Sequence, residues 1–229
     1  MKPELTAEHI QKTYRHGRKS VLKDVSFQGL PGQCIGILGA NGCGKSTLLS
    51  ILAGVENADG GAFLYDGVNL FQKREQTRKK IGYVPQENPL MEELTAYDNL
   101  RLWYCDSALN LETELKQGVL AMLGIPEFLH VRVSRMSGGM KKRLSIGCAV
   151  AEDPEILLLD EPGAALDLIC KERIYVYLKN CKAQGRVILL ATHEEREIEL
   201  CDKLYLLKEG ILSELKYDGN IHHLAGLLT

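Results

Sequence analysis

Val25 and Phe27 alternate with polar neighbours before Pro31-Gly32 turns the chain into the apolar run Cys34 to Leu38. Period-two alternation ended by a turn predicts strands. Ala62 to Tyr65, bracketed by Gly60-Gly61 and Asp66-Gly67, and Ile81 to Val84, stopped by Pro85, predict two more. The period then changes. From Thr95 to about Leu123, Leu100, Trp103, Tyr104, Leu111, Leu115, Val119 and Met122 recur at helical spacing. Two unbroken apolar runs follow, Ile156 to Leu159 and Val187 to Leu190, with helical stretches at Leu166 to Lys182 and Glu194 to Cys201. Strands apolar on both faces belong inside a parallel sheet covered by helices. The pattern predicts an α/β fold with a mostly parallel sheet, an N-terminal antiparallel β part and a helical lobe inserted at about 87–150. Residues 1–229 read as a single domain without internal repeats.

Composition narrows the class. The chain has 229 residues, 45% hydrophobic and 25% charged, with a net charge of −2, an ordinary globular balance with no global field to draw in nucleic acid. Seven scattered cysteines without a CxxC pair fit a reducing compartment rather than a disulfide frame or zinc site. The start lacks the apolar core of a signal peptide. No apolar run approaches the ~20 residues that span a bilayer, so a membrane part would belong to another chain.

The chemistry begins after the Cys34–Leu38 strand. Gly39-Ala40-Asn41-Gly42-Cys43-Gly44-Lys45-Ser46 fits G-x-x-x-x-G-K-[ST], with Thr47 starting an apolar helical run, as in the core of a P-loop NTPase. Glycines let several backbone N–H groups converge on one phosphate, and the following helix adds its positive dipole end. Lys45 is placed for the β- and γ-phosphates of ATP and Ser46 for Mg²⁺. Asp160 ends the apolar strand at the sheet edge where such sheets bind ligands, placed to hold Mg²⁺. Glu161, one residue on, is placed to polarise an attacking water. Ser137-Gly138-Gly139 precedes a helical run at Lys142 to Glu152, either a capped helix entry or a second anion site.

Together these motifs resemble the nucleotide-binding domains of ABC transporters over nearly the whole chain. The resemblance implies that Ser137, Gly138 and Gly139 are the signature capping ATP held by a second subunit. It implies that Tyr14 stacks on adenine and that Gln86, after Tyr83-Val84-Pro85, contacts Mg²⁺ and water. Glu161 becomes the catalytic glutamate, Asp167 the D-loop aspartate and His193 the switch histidine sensing the γ-phosphate. Met140 departs from the common signature glutamine, and Gly163-Ala164 from a hydroxyl-bearing D-loop pair, which predicts tuned hydrolysis. Met140-Lys141-Lys142-Arg143-Leu144 leans towards exporter and ABC-2-type ATPases; Lys141, Lys142 and Arg143 equally fit a solvated helix face, as do Lys73, Arg74, Arg78, Lys79 and Lys80. His222-His223 reads as plain surface.

The implied function is an ATP-hydrolysing subunit that forms ATP-dependent homodimers or heterodimers beneath a separate transmembrane permease, on the inner face of the cell membrane. Leu90, Met91, Leu94 and Tyr97 either meet that permease or pack inside the lobe. A soluble relative acting on ribosomes or DNA would carry two cassettes or a long insertion, and no nucleic acid partner is expected. A non-hydrolysing regulator would not need Lys45, Glu161 and His193 together.

Overall fold

In the computed structural model, which describes residues 4–14, 19–217 and 219, two long N-terminal strands pair antiparallel. They are β1 (Leu5–Tyr14) and β2 (Lys19–Gly29). The other edge of β1 pairs with β4 (Gly60–Tyr65), which carries the short β5 (Val68–Asn69). The second half of the sheet is parallel: β6 (Ile81–Val84), β7 (Ile156–Asp160), β8 (Val187–Ala191), β3 (Cys34–Leu38) and β9 (Lys203–Lys208) follow one another in space. Strand β10 (Ile211–Leu215) folds back on β9 and meets β2, joining both halves into one ten-stranded sheet among the described residues. His222-His223 lies outside the described residues.

Unbroken apolar strands occur because alternate residues feed different cores. Ile156, Leu158, Val187 and Leu189 face α1 (Lys45–Leu52), packing with Leu48, Leu49 and Leu52. Leu157, Leu159, Ile188 and Leu190 face the other way, against Leu144 of α6 (Gly138–Ala149) and Ile174, Tyr177 and Leu178 of α7 (Leu168–Ala183). Each such side chain removed from water contributes about 1.5–3 kcal/mol, on both faces of the same strand.

Helix α2 (Arg74–Lys80) leads into β6, and α8 (Glu195–Leu200) links β8 to β9. Between β6 and β7 the expected long helical stretch is three helices, α3 (Ala96–Tyr104), α4 (Leu111–Gln117) and α5 (Val119–Met122). Local chemistry divides them. Thr95 and Asp98 form a capping box on α3, Asn110 accepts from Thr113 N at 3.0 Å to start α4, and Gly118 separates α4 from α5. Helix α6 begins at Gly138 and ends at Ala149 rather than running from Lys142 to Glu152. The β9–β10 hairpin was not anticipated, although Glu209 (φ 53°) and Gly210 (φ 80°) form the left-handed two-residue turn typical of hairpins.

Asn99, 1% exposed, pins the segment after β6 to α3. Its Oδ1 accepts from Met91 N at 2.9 Å, and its Nδ2 donates to Met91 O at 3.2 Å and Thr95 O at 2.9 Å. Replacement by Ala leaves three backbone groups without this partner. Asn99→Ala is expected to lower unfolding free energy by about 3 kcal/mol, read as a reduced urea midpoint at unchanged slope.

Candidate active site

The parallel register brings the reactive turns together. Ala191, at the end of β8, pairs with Ile37 on one side and Asp160 on the other. The loop after β3, the acids after β7 and the turn after β8 therefore leave the sheet side by side.

Gly44 opens α1 at φ 114°, with Val21 Cγ1 2.8 Å from where a Cβ would stand, so a side chain is excluded by both backbone and space. No acid occupies the first turn of α1, leaving its N–H groups and dipole for an anion. Lys45 is buried, its Nζ donating to Gly39 O at 2.7 Å and Ala40 O at 3.3 Å. Asn41, Gly42 and Ser46 are exposed, whereas Cys43 and Thr47 are half-buried. The thiol of Cys43 packs under the loop, where a Cβ on Gly39 would come within 2.7 Å of its sulfur.

Asp160 is 1% exposed, with the Ser46 hydroxyl near enough to favour its ionised form, and its Oδ2 has no hydrogen-bond partner among the described residues. Burial pushes its carboxyl up, opposed by the Ser46 hydroxyl. A buried carboxylate oxygen without a proton donor, beside a hydroxyl, is a fitting donor set for a hard cation such as Mg²⁺.

Glu161 takes a left-handed backbone, φ 48°, while its N–H donates to Ala191 O at 2.8 Å. That conformation costs about 1–3 kcal/mol and turns the side chain out of the strand's alternation. Its Oε2 accepts from Gln86 Nε2 at 3.2 Å, and its Oε1 lies 3.8 Å from His193 Nε2. Burial, reinforced by the nearby Lys45 charge, lowers His193 below its ordinary value against the opposing pull of Glu161, keeping the imidazole neutral at neutral pH. Gln86, Glu161 and His193 thus meet from three separate turns.

The remaining sequence-identified residues lie apart. Ser137 caps α6 by accepting from Met140 N at 3.2 Å, and a Cβ on the exposed Gly138 would meet nothing within 4 Å. A Cβ on Gly139 would strike Cys170 Sγ at 2.5 Å, so this glycine seats α6 on α7. Asp167 caps α7, accepting from Cys170 N at 2.9 Å, and that bond holds its carboxyl low. No hydrogen bond joins Ser137–Gly139 to the phosphate loop among the described residues. Tyr14, at the end of β1, donates to Glu56 Oε2 at 2.8 Å.

Lys142 and Arg143 are not a solvated face: they are 5% and 7% exposed. Lys142 Nζ donates to Pro85 O at 3.0 Å and Gln86 O at 3.1 Å. Burial lowers its ammonium, opposed by Asp160, Glu161 and Glu197. Arg143 ties Gly139 O to Leu123 O, at 3.4 and 2.8 Å, and covers the Phe128 ring at 4.8 Å. Lys141 does reach outwards, to Glu92 at 3.0 Å. No local sequence signal distinguished Lys142 from its neighbours, because its carbonyl partners lie more than fifty residues away. Lys142→Met would strip both carbonyls of their donor and is expected to cost about 2 kcal/mol of stability and lower ATP turnover through a loosened Gln86. Urea unfolding run beside a turnover assay checks both.

Comparison with known proteins supplies the family. The family model described as ABC transporter matches residues 22–164. The linearmycin resistance ATP-binding protein LnrL of Bacillus subtilis (strain 168) is 34% identical over 209 residues, 90% of this chain and 67% of that protein. The Nod factor export ATP-binding protein I of Rhizobium etli is 36% identical over 204 residues, 88% of this chain and 64% of its own length. The chain therefore spans about two thirds of the length of these relatives. A dimeric ATP-binding cassette, solved in a post-hydrolysis state bound to ADP and Pi, superposes with a TM-score of 0.81 at 28% identity, over 93% of this chain and 99% of that one. With the family model matching residues 22–164 and the fold shared with ATP-binding cassettes, this chain belongs to the ABC transporter family, as an ATP-binding, ATPase subunit.

Proposed function

We propose that the chain closes head to tail with a second cassette over two ATP molecules and, through hydrolysis, drives export by a separate membrane subunit. The observation that carries this reading is a division within the chain. Gln86, Glu161 and His193 converge beside the phosphate loop, while Ser137 and Gly138 are exposed on another element. One chain presents each half of a site, as two shared sites require.

In this reading Lys45 and the loop N–H groups hold the triphosphate, and Tyr14 lies against adenine. Ser46, Asp160 and Gln86 hold Mg²⁺, which neutralises phosphate charge when bound. Glu161 orients the attacking water and takes its proton, Gln86 positions that carboxylate, and neutral His193 donates to the γ-phosphate. The partner's signature closes the site from above, and Asp167 keeps the D-loop at the seam by capping α7. Ala164, which has no hydroxyl to offer across the interface, tunes turnover without abolishing it.

The permease would dock in a groove of about 1330 Å³ between the turn after α1 and the helical lobe. Val55, Met91, Leu102 and Trp103 line it and are 47–72% exposed. Leu90 packs inward instead, while Leu94 and Tyr97 are half-buried away from it. The charged residues described in its lining, Glu56, Asp59, Asp106 and Glu152, are all acidic, which suits an amphipathic helix carrying Lys or Arg. No helix among the described residues is long and apolar enough to cross a membrane. The chain then sits peripherally on the cytoplasmic face. The export direction follows the names of the Nod factor relatives.

Glu161→Gln is expected to bind ATP with Mg²⁺ yet turn over about a hundredfold more slowly or worse, because the amide cannot take the proton, whereas Lys45→Ala loses ATP binding. Normal turnover by Glu161→Gln, measured as released phosphate, would remove Glu161 from the catalytic role. By sedimentation, ATP is expected to convert Glu161→Gln monomers to dimers, and Ser137→Arg to block the conversion by placing a bulky cation at the seam. An ATP-independent mass for Glu161→Gln would count against shared sites.

A further inference from the structure

Glu197 lies outside every motif of the family pattern described above, yet its carboxyl sits where two catalytic turns meet. It is 6% exposed on α8. Thr192 Oγ1, from the turn that carries His193, donates to its Oε2. The same hydroxyl accepts the N–H of Glu194 at 3.0 Å, so Thr192 and Glu194 bracket His193 within one bonded turn. From the other side the Glu197 carboxylate lies against Gly163, whose N–H favours its ionised form. A Cβ on Gly163 would lie 2.6 Å from Glu197 Oε1. The glycine that replaces a hydroxyl-bearing residue in the D-loop is therefore the space this carboxyl occupies. Gly163 is two residues after Glu161 and four before Asp167.

We propose that Glu197 is a positioning residue for hydrolysis, its buried carboxyl tying the turn behind Glu161 to the turn that holds His193. The inference rests on the hydrolytic reading given above. It predicts a proton-linked activity, because the Thr192 hydroxyl donates to a carboxyl that also lies against Gly163, and only the ionised form accepts at full strength. Once protonated, the group carries a hydrogen of its own, and the Thr192 hydroxyl must rotate or let go.

The surroundings place this titration near neutrality. Burial pushes the carboxyl up to about 7. The Thr192 hydrogen bond opposes that, Glu194 adds to it, and Lys171 and the Gly163 N–H oppose it. Lys171 is itself paired with Glu194 at 2.7 Å, and Lys142 faces Glu197 from α6. His193 is shifted the other way, below its ordinary value, so its protonation falls at lower pH. The folded chain holds the Glu197 proton more tightly than the unfolded chain does. This group's contribution to stability is thus greatest in acid and is lost as pH rises towards about 7. Turnover and stability are expected to move in opposite directions across the same window.

The test is ATP turnover from pH 6 to 8.5 for the parent, Glu197→Gln and Glu197→Ala, with ATP affinity and thermal unfolding measured on the same samples. The parent is expected to lose about fivefold in kcat on acidification through pH 7, the scale of one lost hydrogen bond. Glu197→Gln should hold the parent's low-pH rate across the range, without that step. It should also gain most in melting temperature over the parent at the alkaline end. Glu197→Ala should turn over more slowly still, with ATP affinity unchanged. A step near pH 7 that persists in Glu197→Gln, or parental kcat in a folded Glu197→Ala, overturns the proposal. Glu161→Gln is the control: if it is inactive while Glu197→Gln titrates like the parent, only this inference fails, whereas an active Glu161→Gln removes the hydrolytic reading itself.

Discussion

Ala191 is hydrogen-bonded in register between Ile37 and Asp160, and the site depends on that alignment. Because β3, β8 and β7 run parallel and end together, three turns distant in sequence open onto one edge. Side chains at this edge need only short reaches: Gln86, from the turn after β6, to Glu161 at 3.2 Å and Glu161 to His193 at 3.8 Å. A one-residue slip in β7 would swap its alternate side chains between the two cores. Burial of Leu157 and Leu159 on one face and Ile156 and Leu158 on the other is thus what holds Asp160 and Glu161 at their depth.

Buried charge is concentrated around this edge. Lys45, Lys142, Arg143, Asp160 and Glu197 are each less than a tenth exposed. An uncompensated buried charge costs several kcal/mol, and here most of these groups are matched to backbone or hydroxyl groups of functional turns. Lys142 holds the carbonyls of Pro85 and Gln86, Arg143 the carbonyls of Gly139 and Leu123, and Glu197 the hydroxyl of Thr192. Through Lys142, α6 is bonded directly to the turn that carries Gln86. Asp160 Oδ2 is the exception, left without a hydrogen-bond partner among the described residues.

The D-loop shows how a departure from a family pattern can be compensated. Gly163 leaves room for Glu197, while Ala165 (φ 56°) keeps a left-handed backbone without being glycine. With Glu161 also left-handed, the segment stores strain on both sides of Gly163. Asp167 then restores regular structure by capping α7. The turn behind Glu161 is held by its surroundings more than by its own conformational preference.

The sequence by itself determined the motifs whose chemistry is local. The glycine spacing of residues 39–46, the acids ending an apolar strand at Asp160-Glu161, and the Ser137 cap are each complete within a few residues, as are the apolar strands that place them. Short-range pattern could not show that the segment after Thr95 breaks into three helices, that Lys142 and Arg143 turn inward, or that Glu197 joins two loops. Along the chain Lys141, Lys142 and Arg143 look alike, and their different burial follows from which face of α6 meets β6 and α7. Glu197 among Glu194, Glu195 and Glu199 is likewise indistinguishable until α8 packs against the D-loop. These partners are brought together by the folding of the sheet, and only tertiary packing decides which of several equivalent charges is removed from water.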